Sequence, residues 1–384
     1  MKDATRWLIP STLVLVLVML ALLTTPTGSS KSLSYDADLE TLVLAGTYEV
    51  GADPFIITTA DLDGDAAADL VVTNYTAGTV SVLRNQGNGE FSEPEVYPTG
   101  TGTFGVASAD MNGDTFPDIV VSNKLSSTVS ILTNSGDGSF ASKTDMPSAS
   151  GPHVTAVADF NGDSLPDIAV PSYNSRSVSL LINRGDGTFE DPVDYPTHKA
   201  PFCAIAADLN GDGAPGIATT SYEEGFVDIL WNDGDGGFST RTAYELDSDL
   251  WSIAAADLNN DSLPELVVTR YSTGTVTVLV NNGGGSFERS DDYLTGSGGP
   301  CWATPFDLDG DGKLDLAVVD GYAHTLTVLR NEGNGSFKDK VEFATGRGPS
   351  SSVAADFNGD GFTDIAVANW ESDEVNIFLN EHGQ

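Results

Sequence analysis

The chain has 384 residues, room for one large domain or several smaller ones, with 40% hydrophobic content to fill a core and 41 Gly and 18 Pro to make turns. That balance points to a β-rich globular protein and away from long helices. The net charge of −39, from 56 acidic and 17 basic side chains, would repel a phosphate backbone and argues against nucleic acid as a partner.

At the N-terminus Lys2 and Arg6 precede the uncharged run Leu13 to Leu23 and the small polar stretch Thr24 to Ser34, the layout of a secretory signal. No Ala-x-Ala site follows, and counted from Trp7 the apolar run approaches bilayer-spanning length. Residues 1–27 therefore read as a signal peptide or a signal anchor, with both readings open, and residues 28–40 as a polar linker. Membrane contact is expected through this segment alone, and an extracytoplasmic location follows from it.

From residue 41 to 384 the chain repeats itself. The pattern Asp-x-(Asp/Asn)-Gly-Asp-x-x-x-Asp starts at Asp61, Asp110, Asp159, Asp208, Asp257, Asp307 and Asp356, with spacings of 49 or 50 residues. In the second copy strand candidates lie around Val106–Ala109, Ile119–Ser122, Thr128–Leu132 and Phe140–Met146. A Gly-rich hairpin beginning at Asn134 joins the third to the fourth.

Four antiparallel strands per unit of this length is a propeller blade. The residue before the leading Asp is small in six copies (Ala60, Ala109, Ala158, Ala207, Ala256, Ala355), as expected where innermost strands crowd an axis. The chain stops after the third strand of the last copy, while Thr41 to Val50 reads as an orphan fourth strand. Pairing the two would close a seven-bladed, all-β ring, expected to be monomeric, and leave no open seam.

Each Asp-rich loop offers oxygen ligands at alternate positions, the chemistry of calcium. At positions 1, 3, 5 and 9 the first loop has Asp61, Asp63, Asp65 and Asp69, and the second has Asp110, Asn112, Asp114 and Asp118. The third has Asp159, Asn161, Asp163 and Asp167. The fourth has only Asp208, Asn210 and Asp212, because Gly216 occupies position 9, and is predicted to be the weakest or empty. The fifth has Asp257, Asn259, Asp261 and Glu265, with Asn260 in place of the usual Gly. The sixth has Asp307, Asp309, Asp311 and Asp315, and the seventh has Asp356, Asn358, Asp360 and Asp364. Up to seven ions are expected, and their fourteen positive charges would bring −39 to −25. Turn formation alone also favours Asp, Asn and Gly, but seven loops in phase, each with like charges close together, call for a cation.

The stretches Asp159-Phe-Asn161-Gly-Asp163-Ser-Leu-Pro-Asp167-Ile-Ala-Val and Asn183-Arg-Gly185-Asp-Gly187-Thr-Phe189, repeated around the chain, resemble the FG-GAP family in its bacterial VCBS-type form. That form is similar to the propeller of integrin α subunits and of some fungal lectins. The resemblance implies calcium in these loops and an extracytoplasmic binding or adhesion role, with no ligand named. The literal Phe-Gly pair occurs in register only at Phe104-Gly105.

On the face opposite the loops, aromatic residues stand 14 after five of the seven leading Asp (Tyr75, Tyr173, Tyr222, Tyr271, Trp370) and six before four of them (Phe55, Phe104, Phe202, Trp251). They would either form a platform for sugar rings or a protein partner, or fill the wedges between blades. Lys124, His153, Arg176, Trp302 and His324 break the pattern and, with Trp251 and Trp370, are the candidate ligand contacts. Four His without metal-ligand spacing and no Gly-x-Ser-x-Gly elbow favour a non-catalytic binding or scaffold module with a protein or glycan ligand. The alternative is a glycan-active lyase or hydrolase on the same ring. Cys203 and Cys301 lie in different repeats and are expected to be free, buried thiols.

Overall fold

The computed structural model describes residues 30–36, 39, 41–247, 249–296 and 298–382. The predicted signal peptide or anchor lies outside them. Seven sheets, each with four blade strands, follow one another along the chain. In the first, the inner strand Pro54–Ala60 pairs with Asp69–Asn74, which pairs with Thr79–Leu83, which pairs with the outer strand Glu95–Pro98.

The burial of each strand follows from its place in the blade. Second strands such as Asp118–Asn123 are buried at every residue because a neighbouring sheet covers each of their faces. Outer strands such as Val193–Pro196 lie mostly in solvent. Inner strands approach one another so closely at the axis that a Cβ on Gly105 would sit 2.6 Å from the His153 carbonyl oxygen.

The ring closes as the chain ends predict. Leu42–Glu49 pairs antiparallel with Glu374–Asn380 and supplies the outer strand of the seventh blade. Across the seam Asp53 N–H donates to Asp373 Oδ1 at 2.9 Å, and Ile57 N–H to Ser351 Oγ at 3.0 Å. Both cysteines are free and buried.

The segment read as a linker does more than connect. Lys31 bridges Tyr293 on the outer strand of blade five, and Ser34–Tyr35 adds a parallel fifth strand to the outer edge of blade six. Lys31 Nζ lies 2.5 Å from Asp291 Oδ2 and 5.7 Å from the centre of the fully buried Tyr293 ring. Nothing in the composition of that stretch distinguishes a strap from a linker.

A chain starting at Gly51 lacks the closing strand and exposes the edge of Glu374–Asn380. Its melting temperature should fall by about 10 °C or more, with increased light scattering on heating, and a peptide of residues 41–50 added in trans should restore both. An unchanged melt of the truncated chain would contradict this role.

Candidate metal loops and ligand face

Every Asp-rich loop joins an inner strand to a second strand, so all seven lie on one face of the ring. The leading carboxylate organises each. In the second loop Asp110 Oδ1 accepts N–H groups from Gly113 at 2.7 Å and Asp114 at 3.1 Å, while Oδ2 accepts Thr115 N–H at 2.7 Å. The bond from position 6 recurs in all seven loops. So does one from the position 7 N–H to the position 5 carboxylate.

This wrapping forces positive φ on position 6 even where it is Ala66 (71°) or Thr115 (78°), a conformation that costs L-residues about 1 kcal/mol or more. At position 4 Asn260 adopts φ 61° and keeps the shape of the fifth loop as expected.

The ninth residue plays a part that its spacing did not reveal. In six loops it is buried, and its two carboxylate oxygens accept the N–H of position 2 and that of the Asn at the end of the blade's own third strand, which opens a hairpin in every blade but the seventh. It therefore fastens loop to hairpin, with lone pairs left for a cation. Burial pushes the carboxyls of Asp118, Asp167, Asp315 and Asp364 up to about 6, against these two donors, which pull downward. The fourth loop, with Gly216, lacks both bonds.

Three carboxylates gather within 4.8 Å of one another in two places among the described residues, Asp61 with Asp63 and Asp65, and Asp307 with Asp309 and Asp315. These are the two loops with Asp rather than Asn at position 3. Asp63 Oδ1 is buried with no hydrogen-bond partner, an orphaned acceptor inside an all-oxygen cluster. Such a donor set fits a hard cation.

The hairpin Asn links neighbouring blades. Its Nδ2 donates to the position 2 carbonyl of the preceding blade's loop at 2.7–3.0 Å in all seven cases, including Asn85 to Phe357 across the seam. The same Nδ2 reaches the position 8 carbonyl of its own blade. The sequence showed this Asn only as the start of a hairpin, although its seven-fold recurrence was visible.

On the opposite face the rings six before the leading Asp do not form an open platform. They are buried and plug the mouth of the channel, with centroids 4.4 Å apart for Phe55 and Phe104, 4.5 Å for Phe104 and His153, and 4.8 Å for both His153–Phe202 and Phe202–Trp251. His153 is fully buried, and desolvation holds its pKa well below the usual imidazole range. Its Nδ1 lies 2.9 Å from the Gly151 carbonyl oxygen, which assigns the donor role to Nδ1.

Lys124 Nζ lies over the Phe104 and Tyr173 rings at 5.2 and 5.4 Å, and desolvation lowers its pKa to about 8. The structure thus brings Lys124, His153 and Trp251 to one aromatic cluster. Trp302 instead lines the axial channel, a cavity of about 460 Å³. Arg176 is exposed on a blade-top turn. His324 and Trp370 meet at Gly348, whose N–H donates to His324 Nδ1 and whose carbonyl accepts Trp370 N–H. A cavity of about 450 Å³ opens between blades one and two, lined by Tyr75, Gly78, Thr101, Gly102 and Leu125 among others.

Sequence reasoning passed over one pair on this face. His198 Nδ1 lies 2.8 Å from Oδ1 of the buried Asp228, with its ring stacked 3.9 Å from that of Phe226. The two residues are 30 apart in adjacent copies, and only the fold joins them.

The model of the FG-GAP-like repeat matches residues 61–121, 110–170, 159–219, 208–268, 257–318 and 307–367. The chain belongs to the FG-GAP-like repeat family. No curated protein matches it. This FG-GAP propeller is similar in structure to BBS1N from a complex with ARL6DN (TM-score 0.65, 14% identity, 90% of this chain and 98% of that one). It is also similar to virginiamycin B lyase from Staphylococcus aureus (TM-score 0.61, 13% identity, 87% and 99%). A third likeness is to an Agrocybe aegerita lectin that recognises non-reducing terminal N-acetylglucosamine (TM-score 0.54, 21% identity, 83% and 86%). At these identities the shared property is the fold.

Introducing the missing carboxylate into the fourth loop of the FG-GAP propeller tests the fastening role. Gly216 has an ordinary φ, and a Cβ there would stand 3.2 Å from the Leu230 carbonyl oxygen, tight but short of a clash. Gly216→Asp should supply acceptors to the Leu209 and Asn232 N–H groups and raise the calcium-saturated melting temperature by about 2–4 °C, read by calorimetry. No rise would count against the role.

Proposed function

We propose that this chain is a non-catalytic binding module that works outside the cytoplasm, with calcium in its Asp-rich loops. The observation that carries the calcium reading is the convergence of carboxylate oxygens in the loops, with the orphaned Asp63 Oδ1 among them. Positions 1, 3 and 5 would hold the ion, with lone pairs of the ninth carboxylate beside them. The ion would supply structure, each loop gaining about 1.4 kcal/mol at a tenfold excess of calcium over Kd.

The ligand reading rests on the opposite face, where partly exposed tyrosines, Lys124 and the cavity between blades one and two offer ring-stacking surface beside polar groups. The similarity to a lectin adds weight to a glycan, and the FG-GAP-like repeats to adhesion. A glycan-active enzyme is the second reading. It draws support from His198, partly exposed and oriented by the buried Asp228, an arrangement suited to general acid–base work.

A glycan array with and without calcium, beside a polysaccharide-cleavage screen, separates the two readings. Calcium-dependent binding without cleavage is expected. Cleavage that His198→Ala abolishes would favour the enzyme.

The buried ninth carboxyls also set a pH dependence. A carboxyl whose pKa is higher in the folded state binds more protons there, so its contribution is complete below about pH 4 and is lost as pH rises past about 6. Metal-free protein should therefore melt progressively lower from pH 4 to pH 7, and millimolar calcium should remove most of that fall. Coincident melting curves with and without calcium across this range would contradict the reading.

A further inference from the structure

Loops one and six, richest in carboxylates, are the ones expected to bind a divalent ion most tightly. Each also has a feature that the other five lack. Twenty-three residues after the leading Asp stand Arg84 and Arg330, whereas the same position elsewhere holds Thr133, Ile182, Trp231, Val280 and Leu379. The arginine thus occurs in those two copies alone, the same two in which position 3 is Asp63 or Asp309 instead of Asn.

The contacts explain the pairing. Arg84 Nη1 lies 3.3 Å from Asp69 Oδ2, and its Nη2 donates to the Gly138 carbonyl of the next blade. Arg330 Nη2 lies 3.1 Å from Asp309 Oδ2, with Nη1 3.8 Å from Asp36. In both loops a guanidinium at the end of the third strand reaches a loop carboxylate, the ninth residue Asp69 beside the cluster in loop one and Asp309 within the cluster in loop six. Loop one is left with the net charge of a three-carboxylate loop, and loop six, where Lys313 also pairs with Asp311, with that of a two-carboxylate loop. We infer that Arg84 and Arg330 are built-in counter-cations that hold the four-carboxylate loops together before an ion arrives and lower their calcium affinity to that of the other loops. The consequence removes the advantage read from carboxylate counts, since a fixed positive charge a few ångströms away opposes a divalent ion while the added carboxylate favours it. The inference rests on the reading that the loops bind calcium.

The test is isothermal titration of the full, metal-stripped chain with calcium, with stoichiometry from equilibrium dialysis. Wild type should show no separate class of two tight sites. In Arg84→Ala/Arg330→Ala two ions should bind about tenfold more tightly, about 1.4 kcal/mol each, and adding Asp63→Asn should return one of them to the main class. Arg84 also holds a neighbouring blade, so Arg330→Ala alone, expected to release one tight site, covers the case in which the double variant does not fold. Thr133→Arg, which introduces the charge into loop two, should weaken one site. Calcium binding that is unchanged or weaker in both Arg330→Ala and the double variant overturns the inference and leaves the calcium reading standing. A wild-type chain that binds no calcium overturns the calcium reading itself.

Discussion

The structure depends on seven side-chain amides. Each blade ends its third strand on an Asn whose Nδ2 reaches the carbonyl at position 2 of the preceding blade's loop, and the seventh such bond crosses the seam where the chain ends meet. The backbone N–H of the same Asn is held in six blades by the ninth loop carboxylate. A closed cycle of equivalent bonds spaces the blades evenly, and an error at one junction would have to be absorbed at the other six. Buried amides with every donor used favour a single arrangement, because any other leaves polar groups stranded.

This cycle ties the acidic loops to the body of the protein. Position 2 is always a large apolar residue, from Leu62 to Phe357, buried to within 1% of full coverage, and its carbonyl faces the next blade. Whatever orders a loop therefore orders the junction to its neighbour. The burial that raises the carboxyls of Asp118, Asp167, Asp315 and Asp364 to about 6 stores an electrostatic cost at their junctions, which a cation bound as proposed would offset. In the proposed function, stability and ion binding would share the same atoms, and the opposite face would be left to ligands.

Blade number, strand order and ring closure were legible because each is a matter of spacing: the Asp repeat counts the blades, and the orphan strand Thr41 to Val50 names its partner by elimination. Asn260 was legible for a local reason, its tolerance of positive φ. What escaped was contact between residues far apart in the chain. Asn183 and Met111 are 72 residues apart and meet only when adjacent blades stack, as His198 and Asp228 do across 30. The aromatic repeat six before the leading Asp was visible, but whether those rings face solvent depends on the channel radius, which the structure shows to be narrow enough for them to fill. The strap at Lys31 to Tyr35 carries no pattern at all, since an added edge strand needs only backbone.

The most direct test of the central role of the Asn cycle is scanning calorimetry of Asn183→Ala. The variant loses the donations to Met111 and Pro166 and leaves their carbonyls without this donor. A single cooperative transition is expected, about 5 °C or more below that of the wild type and reduced to a similar extent with and without calcium, from a loss of about 2–4 kcal/mol. A melting temperature within about 1 °C of the wild type would show that the blades are held by apolar packing alone and would contradict the account.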